Sequence, residues 1–247
     1  MSIDIAVVPV AGLGTRLLPA TKSQPKEMLP VGRKPVVQYV VEELTQSGIN
    51  RLLFITGASK TSIENHFDID ERLINHLRES GREEELLQLD FERRDVEYFY
   101  TRQRRQLGLG HAVLCAKSLV GSQPFVVALG DSIIGINAKS DIVQRMTEEF
   151  ESSKADIVVA FEEVPQADVV RYGIAKPKGA VGTRFELDDL IEKPSAEEAP
   201  SRFAVASRYV LSPAIFEALE HTEPGTGGEI QLTDAIRILL KRGAKGI

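Results

Sequence analysis

The chain has 247 residues, 43% hydrophobic and 27% charged, with 30 Lys+Arg against 36 Asp+Glu for a formal net charge of −6. That negative balance argues against nucleic-acid and membrane partners, whose phosphate field would repel it, although a local basic cluster can still take a small phosphate ligand. The single cysteine, Cys115, excludes a disulfide framework and a cysteine-rich zinc site, and with Asp4 where a secretory signal would carry positive charge and no apolar run near the ~20 residues that span a bilayer, a cytoplasmic protein is expected.

Residues 3–10 form a short β-branched apolar run that ends at a Gly-rich turn, the pattern of a strand buried on both faces. A long loop with three prolines follows over 11–32. Helical spacing from 36 to about 46 stops at Gly48, and RLLFIT at 51–56 predicts a second buried strand. Residues 60–89 are charged and helix-periodic, with a break at Gly81. A strand over 96–101, a helix over 110–117 and a fourth strand over 124–129 lead to Gly130-Asp131. Beyond these the spacing predicts a helix over 140–152, then strands over 157–164, 172–176, 184–192 and 203–210, and finally helices over 213–220 and 229–241. This alternation implies a single three-layer α/β/α domain over 1–247 around a mostly parallel, mixed sheet. In such sheets ligands bind beyond the carboxyl ends of the strands. Residues 11–16, Gly130-Asp131 and Glu192-Lys193 all fall at predicted strand ends.

Gly12-Leu13-Gly14-Thr15-Arg16 directly follows the first strand. Glycines let a backbone approach phosphate, turn N–H groups can cradle it, and a guanidinium adds planar donors; a simple tight turn has the same sequence. The loop is neither the dinucleotide fingerprint, which needs a third Gly at Leu17, nor a P-loop, since no Gly-Lys-Ser/Thr follows. Arg16, Lys22 and Lys26 set three cations close together, which suits a polyphosphate site or a solvated basic loop. Asp131 suits hard-oxygen metal ligation or a turn cap, and Glu192-Lys193 a binding pair or a surface ion pair. His111 is expected to pack or cap and Cys115 to fill core. His66, His76 and His221 show no metal-ligand spacing, and Glu229 and Asp234 are expected to open a helix, where acids complement the dipole.

The string AGLGTRLLPATKSQPKEMLPVGRKPVVQYVVEE resembles the signature of bacterial UTP–glucose-1-phosphate uridylyltransferases, which are sugar-nucleotide pyrophosphorylases. RQRRQLGLGHAV, LGD, RYG, IEKP, SRYVLSPAIFE and GGEIQLTDAI follow in the matching order over nearly the whole chain. The resemblance implies a Rossmann-like nucleotide-diphospho-sugar transferase architecture. It implies attack of glucose 1-phosphate on the α-phosphorus of UTP, giving UDP-glucose and pyrophosphate with Mg²⁺, in a protein that assembles as a homo-oligomer. Arg16 and Lys26 would bind the triphosphate and the leaving pyrophosphate, and Ala11, Gly12, Gly14 and Thr15 would line the phosphate path. Gln103 matches the residue that reads the uracil edge, with Gly108 beside the base. Asp131 matches a metal carboxylate, Gly173 and Glu192 match glucose contacts, and Lys193 matches the sugar-phosphate clamp. Arg16, Lys26, Asp131 and Lys193 are thus the expected catalytic set. The alternatives are a thymidylyl- or cytidylyltransferase of the same fold, or a non-catalytic sugar-nucleotide-binding relative.

Three departures stand out. Ser132 occupies a position where many relatives have a second Asp, and Ser207 one where they have Gly; its hydroxymethyl is expected to narrow the sugar pocket or alter its hydrogen bonding. In the family a strand and an Asp-bearing motif follow the last helix and supply a second metal carboxylate. No such motif follows residue 241 here, so a loosely held cation is expected.

Overall fold

The computed structural model describes residues 3–89, 91, 95–135, 137 and 139–247. In chain order the first half contains β1 (Ile5–Pro9), a short hairpin of β2 (Pro30–Val31) and β3 (Lys34–Pro35), α1 (Val36–Gln46) and β4 (Arg51–Thr56). It continues with α2 (Thr61–Phe67), α3 (Glu71–Glu79), α4 (Glu83–Leu87), β5 (Glu97–Arg102), α5 (Leu109–Leu114), α6 (Lys117–Val120) and β6 (Phe125–Ala128). The second half contains α7 (Ile142–Ser153), β7 (Ile157–Glu163), β8 (Gly173–Lys178), β9 (Glu186–Glu192), β10 (Phe203–Leu211), α8 (Ala214–Glu220) and α9 (Leu232–Lys241).

Eight strands form one mixed sheet in the order β5-β4-β1-β6-β10-β8-β9, with β7 against β10. β5, β4, β1 and β6 run parallel, and this half carries the Gly-rich loop at the end of β1. β10 runs antiparallel to β6, β7 and β8, and β8 antiparallel to β9. Strand residues alternate between faces, so a strand covered on both sides must be apolar throughout. Ile5, Val7, Leu53 and Ile55 pack with Val113 of α5, Phe216 of α8 and Ile236 of α9. Ala6, Val8, Leu52 and Phe54 pack on the other face with Val40 and Leu44 of α1, Ile63 of α2 and Val143 of α7. These are the expected three layers. No helix among the described residues is long and apolar enough to cross a membrane.

Several boundaries differ from the sequence expectation. The 60–89 segment is three helices, because residues 68–70 interrupt it and the Asp70 carboxylate accepts from Leu73 N at 2.9 Å to cap α3. The 11–32 loop contains single 3-10 turns at Thr15–Leu17, Ala20–Lys22 and Lys26–Met28 besides the hairpin. The last helix starts at Leu232, so Glu229 lies ahead of it, in a turn where Gly225 N donates to Glu229 O at 2.9 Å. Asp234 does occupy the first turn of α9. β10 is bulged between Val205 and Tyr209, and there Ser207 adopts φ 60, a left-handed conformation in which Gly carries no penalty.

Candidate active site

The carboxyl ends of β1 and β6 open on a cleft of about 460 Å³. One wall is the loop after β1, and its carbonyls are tied to side chains elsewhere. Gln106 Nε2 donates to Ala11 O at 2.8 Å, Lys60 Nζ to Gly12 O at 2.8 Å, and Thr21 Oγ1 to Gly14 O at 2.7 Å. Three negative peptide ends are thereby neutralised on the protein, where free carbonyls would repel an anion. Gly14 has φ +71, and a Cβ there would sit 3.1 Å from Thr21 Cγ2, so the turn requires glycine. Lys60 also donates to Glu27 Oε2 at 2.8 Å, and both side chains are almost wholly buried. Burial raises the Glu27 carboxyl above the usual carboxylate range, and the Lys60 ammonium partly opposes that shift.

Opposite the loop, Asp131 Oδ2 accepts from Lys26 Nζ at 2.5 Å, and both side chains remain partly open to solvent. The turn before Asp131 needs Gly130, where a Cβ would lie 2.5 Å from Val10 Cγ1. The turn after it is fastened by Arg208, which is wholly buried. Its Nη2 donates to Ser132 O at 2.9 Å and to Glu43 Oε2 at 2.5 Å, and its Nη1 to Ser207 O at 3.0 Å. One guanidinium thus ties α1, the Asp131 turn and the β10 bulge together. Ser132 Oγ donates to Ser207 Oγ at 3.1 Å, so the two serine departures pair with each other. Ser207 does not line the cleft of the Gly-rich loop.

Gln103, also in the cleft lining, is 6% exposed. Its Nε2 lies 2.9 Å from Gly108 O and 3.0 Å from His111 Nδ1. Gly108 has φ +98, and a Cβ would come 2.7 Å from both Glu229 Cβ and Ile230 O. That close approach is locked by Ile230 N donating to Leu107 O at 2.7 Å and Gly110 N to Ile230 O at 2.8 Å. Glu229 therefore forms part of the cleft wall beside Gly108.

A second group of polar residues gathers where β8 starts and β9 ends. Gly173 is the strand partner of Glu192. Glu192 Oε2 accepts from Thr233 Oγ1 at 2.9 Å, and its Oε1 lies 3.2 Å from Lys193 Nζ. A Cβ on Gly173 would lie 2.7 Å from Thr233 Cγ2 and 3.4 Å from Glu192 Oε2. Lys193 has φ 45, a strained backbone held by its N–H donating to Tyr172 O at 2.9 Å. Nearby, burial raises the Asp234 carboxyl above its usual range, with Arg237 opposing.

Ala11, Gly12, Gly14, Thr15, Lys26, Gln103, Gly108 and Asp131 thus line one cleft. Arg16 is exposed on the same loop and is not part of that lining. Gly173, Glu192 and Lys193 form the separate β8–β9 group. Sequence reasoning missed Lys60, Glu27, Gln106, Arg208 and Thr233. No spacing signals Lys60 or Arg208, because each meets its partner across the fold, although a buried-strand arginine such as Arg208 is unusual enough to invite a search for a partner. Among the described residues, no group of three or more His, Cys, Asp or Glu could hold a metal ion unaided.

A nucleotidyl transferase family model matches residues 5–246. The chain is 46% identical over 237 residues to the UTP–glucose-1-phosphate uridylyltransferase YngB of Bacillus subtilis strain 168, covering 96% of this chain and 79% of that protein. A second Bacillus subtilis UTP–glucose-1-phosphate uridylyltransferase is 43% identical over 234 residues, covering 95% and 79%. A solved UDP-glucose pyrophosphorylase complexed with UDP-glucose is similar with a TM-score of 0.86 at 38% identity, covering 97% of this chain and 88% of that one. A UTP-bound UGPase from Acinetobacter baumannii gives a TM-score of 0.88 at 39% identity, covering 99% and 84%. The chain belongs to the nucleotidyl transferase family and, within it, to the UTP–glucose-1-phosphate uridylyltransferases.

Proposed function

We propose that this chain, as a single cytoplasmic nucleotidyltransferase domain over residues 1–247, forms UDP-glucose and pyrophosphate from UTP and glucose 1-phosphate. The observation that carries this is the single cleft shared by the Gly-rich loop, Lys26, Asp131, Gln103 and Gly108. In it the glycine backbone and the Lys26–Asp131 pair share one lining with the Gln103 amide and Gly108. The triphosphate lies along Gly12, Gly14 and Thr15, with its carbonyl repulsion already removed by Lys60, Gln106 and Thr21. Lys26 and Asp131 neutralise each other in the free protein. When the nucleotide enters, Lys26 turns to a phosphate oxygen, and Arg16 comes onto the β and γ phosphates from its exposed turn. Gln103 and Gly108 meet the uracil. Gly173 and Glu192 receive the glucose hydroxyls, and Lys193 clamps the sugar phosphate and steadies its attacking oxygen in line with the pyrophosphate. The transition state gathers charge on phosphate oxygens, so these cations act by position and field, with no proton to shuttle.

A divalent cation fits Asp131 as one hard-oxygen donor, with the remaining donors coming from nucleotide phosphates and water, because no all-protein cluster is available among the described residues. We assign this cation as Mg²⁺. When bound, it would neutralise charge on the departing pyrophosphate. The test is pyrophosphate release and UDP-glucose formation with Mg²⁺ and glucose 1-phosphate, using UTP, dTTP, CTP, ATP and GTP in turn. Preference for UTP supports the assignment. Preference for dTTP or CTP moves it to the sister activities, and binding without turnover makes the chain a non-catalytic binder.

A further inference from the structure

We infer that His111 is a positioning residue for base selectivity, holding the Gln103 amide so that its carbonyl oxygen is the atom offered to the incoming base. This rests on the assignment of Gln103 to the base end of the cleft. The amide orientation follows from chemistry. Gly108 O can only accept, so the Gln103 atom 2.9 Å from it must be the nitrogen. The same nitrogen lies 3.0 Å from His111 Nδ1. With one amide hydrogen on Gly108, the other points to Nδ1, which must accept. The His111 ring is then neutral and carries its proton on Nε2. Burial holds His111 below the usual histidine range, which keeps that lone pair available. Cys115 Sγ lies 3.9 Å from the same Nδ1, and burial raises its thiol above the usual cysteine range.

Both amide hydrogens of Gln103 are therefore occupied on the protein side, and Oε1 is left as an acceptor in a cleft-lining side chain. Uracil and thymine present a ring N–H that completes this acceptor. Cytosine presents a ring lone pair at the same position, so two acceptors would face each other. Turning the amide over to accommodate cytosine would set Oε1 against the Gly108 carbonyl and would require His111 to move its proton from Nε2 to Nδ1. His111 is itself held in register, since Gly110 N is fixed on Ile230 O and a Cβ at Gly110 would lie 2.8 Å from that oxygen.

The test compares kcat/KM for UTP, dTTP and CTP in the wild type and in three variants. His111→Phe keeps a ring but removes the acceptor, and His111→Asn restores an acceptor near the Nδ1 position. His111→Phe should lower the UTP:CTP ratio by about tenfold, the worth of one neutral hydrogen bond with its orienting effect. The UTP:dTTP ratio should not move, since both bases share the ring N–H, and His111→Asn should recover most of the UTP:CTP ratio. Gln103→Ala separates the two possible failures. If it lowers the UTP:CTP ratio and His111→Phe does not, the role of His111 is wrong while the base end stands. If neither variant moves the ratio, the base-end assignment fails and takes this inference with it. Should His111→Phe not fold, histidine ¹⁵N spectra of the unaltered protein decide: an Nε2–H tautomer at His111 supports the inference, and an Nδ1–H tautomer overturns it.

Discussion

Lys60→Met is the most informative perturbation of this protein, because one side chain links its stability to its phosphate loop. The Lys60 ammonium and the Glu27 carboxylate are 7% and 1% exposed, and their 2.8 Å contact has no solvent to replace it. Removing one member of such a pair costs about 3–5 kcal/mol, chiefly because the partner charge is left buried alone. The Gly12 carbonyl loses its donor as well, an effect of about 1–3 kcal/mol that overlaps with the first and is not to be added in full. The cost has a ceiling, since Glu27 can take up a proton. Its folded-state carboxyl already lies above the usual range through burial, and losing Lys60 removes the main opposing influence. A carboxyl raised on folding binds more protons in the folded state, so its stability contribution is lost as pH rises through the folded value. The penalty should therefore be about 3–4 kcal/mol at pH 8 and smaller at pH 5.5, the direction that a raised Glu27 carboxyl dictates. Urea unfolding of wild type and variant at both pH values measures this. The double variant Glu27→Gln with Lys60→Met should regain much of the loss, as buried pairs replaced together often do. A single variant within about 0.5 kcal/mol of wild type, or a penalty that grows as pH falls, would refute the reasoning.

Further outcomes concern the two groups of site residues. Asp131→Asn should reduce turnover by about 100-fold and raise the Mg²⁺ requirement, while changing metal-free UTP affinity by only about threefold; superimposable metal titrations for the two proteins would remove Asp131 from the metal. Lys193→Ala should raise KM for glucose 1-phosphate about tenfold more than KM for UTP, since a charge-assisted phosphate contact is worth about 1.5–3 kcal/mol. Equal changes in the two constants would put Lys193 on a solvated face. Gly173→Ala should weaken glucose 1-phosphate binding and lower stability by about 1–3 kcal/mol, because its methyl would collide with Thr233 Cγ2 and press on Glu192; unchanged thermal unfolding together with unchanged KM would show that the β8 start gives way.

How much of this was legible before folding depends on how far apart the partners lie. β1, β4 and β6 were readable because a strand buried on both faces must be apolar throughout, and their carboxyl ends pointed to the Gly-rich loop and to Asp131. The break at residues 68–70 was hidden because Asp-Ile-Asp fits a helical charge pattern, and only the Asp70 cap shows that the chain turns there. Glu229 was misplaced into α9 for a related reason. Acidic residues favour first turns, but the close packing of Gly108 on Glu229 and Ile230 holds that segment extended until Leu232.

The residues assigned to substrate took their roles from the motifs, whereas those that hold them in place, Glu27, Gln106 and Arg208 among them, stand inside the same strings with no role that the sequence assigns. Lys60 reaches Gly12 and Glu27 across 48 and 33 positions, and Arg208 reaches Glu43 across 165. No local period connects such pairs, so each reads as an isolated charge in the sequence. Arg208 shows the consequence for the two serine departures. At Ser207 the chain adopts φ 60, which favours glycine, and the added side chain needs a partner of its own. Ser132 supplies one, within a turn whose carbonyl the Arg208 guanidinium already grips. Two departures that read separately in the sequence, one a serine where relatives have a second Asp and the other a narrowed sugar pocket, share one contact in the folded chain, beside the residue that fixes the Asp131 turn. A substitution at either serine should then be judged by what it does to the other before it is judged by what it does to substrate.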